Sequence, residues 1–194
     1  HDGELIPTLE NRKTFTRLIR QWDADVVIGH GPYDYHPDHR YTGVLMQVSA
    51  YMVAVPFFCP DVAPLNKNPI FLYSYDRFQK PNPFQADIVV SIDRVIDKKV
   101  EALALLESQF VEGGATGSAD TSPKTPEQRE AKREQVKEGF KRRAASVADD
   151  CRAKLIELYG EEAGKQVKYA EAFEICEYGR RPSKEEILKL FPIK

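Results

Sequence analysis

The chain has 194 residues and a formal net charge of −2. That near-neutral balance lacks the basic footprint of a nucleic-acid binder, and no apolar run approaches the roughly 20 residues that span a bilayer. With 42% hydrophobic and 30% charged residues it reads as a globular chain, long enough for one real core. Cys59, Cys151 and Cys176 are odd in number and lack metal-ligand spacing. They read as free thiols in a reducing compartment, which favours the cytoplasm while leaving localisation open.

In chain order, Thr8 or a neighbour can cap a helix running to about Trp22. Its apolar stripe would be Phe15, Leu18, Ile19 and Trp22, with Trp22 in the core. Asp25 to His30 is a short β-branched run ending in Gly31-Pro32. It reads as a strand buried on both faces, as in a parallel sheet. Pro37 suits the first turn of a helix, and Val44, Leu45, Val48, Tyr51, Met52 and Val55 would form its apolar face before it stops near Pro56. Residues 57–69 are a Pro-rich loop. Ile70–Ser74 and Asp87–Ile92 read as two further strands, joined by a polar, Pro-rich stretch in which Arg77 is more readily a solvated charge than a substrate contact. A helix should then run from Asp93 or Arg94 to about Phe110. Residues 111–126, rich in Gly, Ser and Pro, form a linker or mobile loop.

Glu127 to Tyr159 reads as one long charged helix ending at Gly160, with an apolar seam of Val136, Phe140, Ala144, Val147, Cys151, Leu155 and Leu158. That seam packs on its own domain or, on the sharper reading, serves as a lid or an oligomer contact. Ser183 to Glu186 is a capping box opening a short last helix, Ile187 to Phe191.

The chemistry concentrates in Pro32-Tyr33-Asp34-Tyr35-His36-Pro37-Asp38-His39-Arg40. This stretch lies at the carboxyl end of a strand and on the first turn of the next helix, where open α/β sheets bind ligands. With the helix starting at Pro37, His36 sits at or near the N-cap and His39 in the first turn, on one side. The helix dipole disfavours protonated imidazole there. A neutral imidazole can ligate a metal or donate a hydrogen bond, and Asp38 could hold one ring nitrogen. A cap or a solvated histidine is the bland alternative.

Tyr35 to Arg40 after Val-Val-Ile resembles the second signature of the PIG-L/LmbE-like N-acetylglucosamine deacetylases. Asp97 to Leu103 with Glu107 to Gln109 resembles the family's post-sheet helix. Tyr169 to Phe173, with Leu190-Phe191-Pro192, resembles its C-terminal signature. The resemblance implies a partial Rossmann-like parallel-sheet sandwich of the α/β class, with a long charged helix inserted after the Gly/Ser/Pro-rich loop. It implies a hydrolase dependent on Zn2+, or another divalent metal, that removes an acetyl group from an N-acetylated sugar or glycoconjugate. His39 would be the metal ligand. His36 would stabilise the oxyanion or act as acid, and Asp38 would orient His36, while metal-bound water attacks the amide. The family's His-Pro-Asp-Asp-Glu motif is absent from this chain. The expectation is therefore a C-terminal part of a larger enzyme, inactive without the preceding segment.

The expected division is 1–110 as the C-terminal part of the catalytic domain, 111–126 as flexible loop, 127–160 as helical insertion and 161–194 packing back on the catalytic domain. The competing reading is a non-catalytic Rossmann-like module that docks, or forms a homo-oligomer, through the 127–160 helix.

Overall fold

The structure, a computed structural model, describes residues 1–193. Its elements are α1 (Leu9–Trp22), β1 (Val26–Gly29), α2 (Pro37–Met52), β2 (Ile70–Ser74), β3 (Ile88–Ser91), α3 (Ile96–Ala104), α4 (Pro126–Asp150), α5 (Arg152–Tyr159), α6 (Glu161–Gln166), β4 (Ala170–Ile175) and α7 (Lys184–Leu190). The strands form one sheet in the order β1-β2-β4-β3. The chain divides into two compact units. One comprises His1–Ile88 and Ala172–Phe191; the other comprises Val89–Glu171 with Pro192 and Ile193. No helix among the described residues is long and apolar enough to cross a membrane.

In the first unit β1 and β2 run parallel, Val26 opposite Ile70 and Gly29 opposite Tyr73. The sequence carried no strand expectation over residues 170–175. β4 nevertheless pairs there with β2, antiparallel, Leu72 opposite Ile175 and Ser74 opposite Phe173. The sheet is therefore mixed rather than wholly parallel. Antiparallel neighbours need no crossover of fixed hand, so a strand arriving from distant helices can join in this sense. β1 is not buried on both faces: it lies at the sheet edge and Ile28 is 52% exposed.

α1 opens on Thr8, whose hydroxyl accepts from the Asn11 N–H at 3.1 Å. Its inner face carries Thr16, Ile19 and Arg20, with Phe15 packed beside the core. Trp22 is 85% exposed, which corrects its expected place in the core. The difference is one of helical phase. The apolar stripe suggested a face through Leu18 and Trp22, but Arg20 takes the centre by donating to five carbonyl oxygens, those of Met52, Val53, Val55, Cys59 and Val62. These belong to the end of α2 and the loop after it, where carbonyls lack intrahelical partners.

α2 is likewise rotated from expectation. It buries Gly43, Leu45, Met46, Ser49 and Ala50, whereas Tyr51 is exposed. Small residues bring it close to its neighbours, and counting only large apolar side chains misses such a face. Ile19, Met46, Ala50, Val53, Phe71, Tyr73 and Cys176 form the core of this unit. α7 starts at Ser183 with both halves of the capping box made.

The second unit packs Ile92, Ile96, Val100 and Ala144 together, with Phe140 and Tyr169 against them. The helix expected from residue 93 or 94 to 110 stops at Ala104, and a π-helical turn follows at Glu107–Val111. The long charged helix divides at Cys151, which leaves helical dihedrals (φ −104°, ψ 19°) and separates α4 from α5. Of the seam, Ala144, Val147, Cys151 and Leu155 are buried within the chain. The polar side of α4 is fastened by a ladder of ion pairs at steps of four: Arg129 with Glu112, Arg133 with Glu107, Lys137 with Glu101 and Lys141 with Asp97. All three cysteines are free and buried.

Candidate functional site

The site belongs wholly to the first unit. β1 and β2 end side by side, and the Ser74 hydroxyl donates to the Gly29 carbonyl at 3.2 Å. Residues 30–36 lead from β1 into α2. His36 is the N-cap of α2, with extended backbone (φ −80°, ψ 133°) and Pro37 next. Its Nδ1 accepts from the Asp38 N–H at 3.3 Å, as N-cap acceptors do.

Gly43 sets how close α2 comes to this loop. A Cβ there would stand 2.7 Å from the His30 carbonyl oxygen, and 3.0 Å from Gly31 C and from Pro32 N. Two backbones meet with no room for a side chain, which explains a helix-interior glycine despite its entropic cost of about 1 kcal/mol.

Asp34 is the buried polar centre of the loop. Its Oδ1 accepts from the His36 N–H at 2.9 Å and lies 3.2 Å from His39 Nδ1. Its Oδ2 lies 3.9 Å from His30 Nδ1, and its carbonyl accepts from Arg40 Nη1 at 3.1 Å. The His30 and His39 rings stack, with centroids 4.1 Å apart and planes within 9°. His36 and His39 have centroids 4.7 Å apart. Burial, and next the neighbouring His39, push the His30 pKa below the ordinary imidazole value, which favours its uncharged form.

Asp38 is placed differently from a simple orienting carboxylate. Its oxygens accept from the Gly3 N–H at 2.7 Å and the Leu5 N–H at 3.0 Å. The Gly3 bond above all holds its pKa below the usual carboxylate range. It is the Asp38 backbone N–H that engages the His36 ring, while Asp2 Oδ1 stands 3.7 Å from His36 Nε2.

The three residues singled out from the sequence, His36, Asp38 and His39, thus share one turn at the sheet's edge. Sequence reasoning assigned no role to His30 or Asp34. The available signal was positional: a histidine at the strand's carboxyl end, four residues before a loop aspartate. Among the described residues, two groups could hold a divalent ion: His30, Asp34 and His39, and Asp2, His36 and Asp38. In each, the donor atoms lie within 4.8 Å of one another. Nitrogen and carboxylate oxygen in such sets fit zinc and several other divalent ions.

Beside this cluster lies a cleft of about 570 Å³. Its wall includes Gly31, Pro32 and Tyr33 of the same loop, Tyr73, Phe84 and Asp76. The imidazoles are not part of its wall. Burial raises the Asp76 carboxyl above its ordinary value, with Asp34 adding to the shift. Arg77 is exposed, and its Nε reaches the Tyr75 hydroxyl at 3.4 Å.

No protein-family profile matches the chain. It is 33% identical over 116 residues to diacetylchitobiose deacetylase of Thermococcus kodakarensis, a match covering 57% of this chain and 42% of that protein. Among solved structures it is similar to N,N'-diacetylchitobiose deacetylase from Pyrococcus horikoshii, with TM-score 0.60 and 22% identity, over 92% of this chain and 55% of that one. It is also similar to GalB, the 4-carboxy-2-hydroxymuconate hydratase of Pseudomonas putida, with TM-score 0.62 and 15% identity, over 91% and 61%. The conserved protein TT1542 from Thermus thermophilus gives TM-score 0.58 and 19% identity, over 93% and 64%. At these identities the structural likeness is one of fold. The chain spans less than two thirds of each of these relatives.

Proposed function

We propose that the chain is part of a metal-dependent amide hydrolase of the PIG-L/LmbE-like kind, removing the acetyl group from an N-acetylglucosamine-type unit of a sugar or glycoconjugate. One observation carries the reading: the His36–His39 turn stands at the carboxyl end of parallel strands, beside a cleft. The 33% identity to a diacetylchitobiose deacetylase over 116 residues supports it.

His39 would hold the metal, zinc or another divalent ion. A catalytic zinc takes three ligands from protein, so the complete site is proposed for the full-length protein. When bound, such an ion polarises an amide carbonyl and lowers the pKa of water. The chain's own residues supply the rest. His36, pinned at the N-cap through Nδ1, keeps Nε2 to donate to a developing oxyanion or to pass a proton to the leaving amine. Asp38 ties residues 3 and 5 to the same turn and holds negative charge beside His36. The aromatic and polar wall of Tyr73, Phe84 and Tyr33 offers a sugar ring both a face to pack on and hydrogen-bond partners.

The test is metal content together with acetate release from N-acetylglucosamine compounds, measured on the full-length protein. His39→Ala should lose the metal. His36→Ala should keep the metal and lose at least about 100-fold in kcat. A His39→Ala protein that retains metal and rate would overturn the reading.

A further inference from the structure

We infer that Asp34 is the positioning residue of this site. It acts with the Asp38 backbone N–H to set His39 and His36 in opposite neutral tautomers, so that one ring presents a lone pair and the other a proton. The argument rests on which atoms can only donate and which can only accept. A carboxylate oxygen accepts, so the 3.2 Å contact between Asp34 Oδ1 and His39 Nδ1 places the ring proton on Nδ1. His39 Nε2 is then the basic nitrogen. A backbone N–H donates, so the 3.3 Å contact from Asp38 N to His36 Nδ1 makes that Nδ1 the basic nitrogen and places the proton on Nε2.

The two rings, with centroids 4.7 Å apart, therefore differ in chemistry because of their partners alone. Asp34 Oδ1 also accepts from the His36 N–H at 2.9 Å, so one buried oxygen fixes both the start of α2 and the His39 ring. That oxygen already serves two donors, as a carboxylate standing behind a metal-ligating histidine does. The use of His39 Nε2 as a ligand rests on the deacetylase reading; the tautomers do not.

The experiment is a two-bond 1H–15N correlation of the imidazoles in the 15N-labelled, metal-free 194-residue chain, at a pH where the rings are neutral. The wild type should show His39 protonated at Nδ1 and His36 protonated at Nε2. Asp34→Ala should move His39 towards the Nε2–H form that free imidazole side chains prefer, while His36 keeps its tautomer. The idea is overturned if wild-type His39 is protonated at Nε2, or if a folded Asp34→Ala chain leaves His39 unchanged. The wild-type spectrum decides even where that variant does not fold. In the full-length protein Asp34→Ala should weaken metal binding by about 10–100-fold; unchanged affinity would overturn the positioning role. Failure of the full-length wild type to release acetate would remove the deacetylase reading and leave the tautomers standing.

Discussion

Gly43 shows how a single hydrogen in place of a methyl can hold a site together. The His30 carbonyl, Gly31 and Pro32 occupy the space a Cβ would need, and all three contacts are backbone atoms that cannot swing aside. Gly43→Ala should therefore push residues 30–32 off α2. It should lower stability by about 1–3 kcal/mol, the usual cost of overpacking, and displace His30. Urea unfolding checks this, and an unchanged midpoint would show that the loop yields freely. His30 carries a second consequence at this scale. It stacks on His39 and faces Asp34, so three titratable groups share one small volume.

Among the elements, α1 and α2 are joined by a guanidinium. Arg20 is 4% exposed and donates to five carbonyls of α2's end and the turn after it; those of Met52, Val53, Val55 and Cys59 also accept a backbone N–H. Lysine offers one compact charge in place of a planar fork. Arg20→Lys should lower stability by at least about 2 kcal/mol, since the buried cation loses several of its hydrogen bonds; thermal unfolding reads the loss. In the second unit, Leu155 is fully buried and Val147 nearly so, and this part of the seam packs within the chain. Leu155→Ala should lower stability by about 2–5 kcal/mol, as judged by denaturant titration. The ion-pair ladder of α4 consists of solvent-screened surface pairs, so packing at Ala144 and Leu155 outweighs any single rung.

For the molecule as a whole, the site couples stability to pH. His30 has a folded pKa below its ordinary value of 6.5. Near and below that value the unfolded chain binds more protons there than the folded one, so stability falls on acidification. The metal-free chain should lose resistance to urea as pH drops from about 7.5 to about 5.5. His30→Asn should flatten that dependence, and parallel pH profiles for the two proteins would exclude His30 as its source.

Local signals settled much of the first unit. Thr8, Pro37 and Ser183 mark helix starts because capping is decided within a turn of chain, and Ile70–Ser74 is a strand because four of its five residues have nowhere to go but inside. The His36–His39 turn was legible for the same reason. Tertiary structure alone decided which face of α1 and α2 is buried. Arg20 finds its carbonyls some 30 to 40 residues away, and small residues that no hydropathy count rewards let backbones approach. It alone made residues 170–175 the neighbour of β2, since pairing partners about 100 residues apart leave no trace in local composition. It alone joined Asp34 to His30 and His39, because a loop's path across a sheet end depends on what lies beneath it.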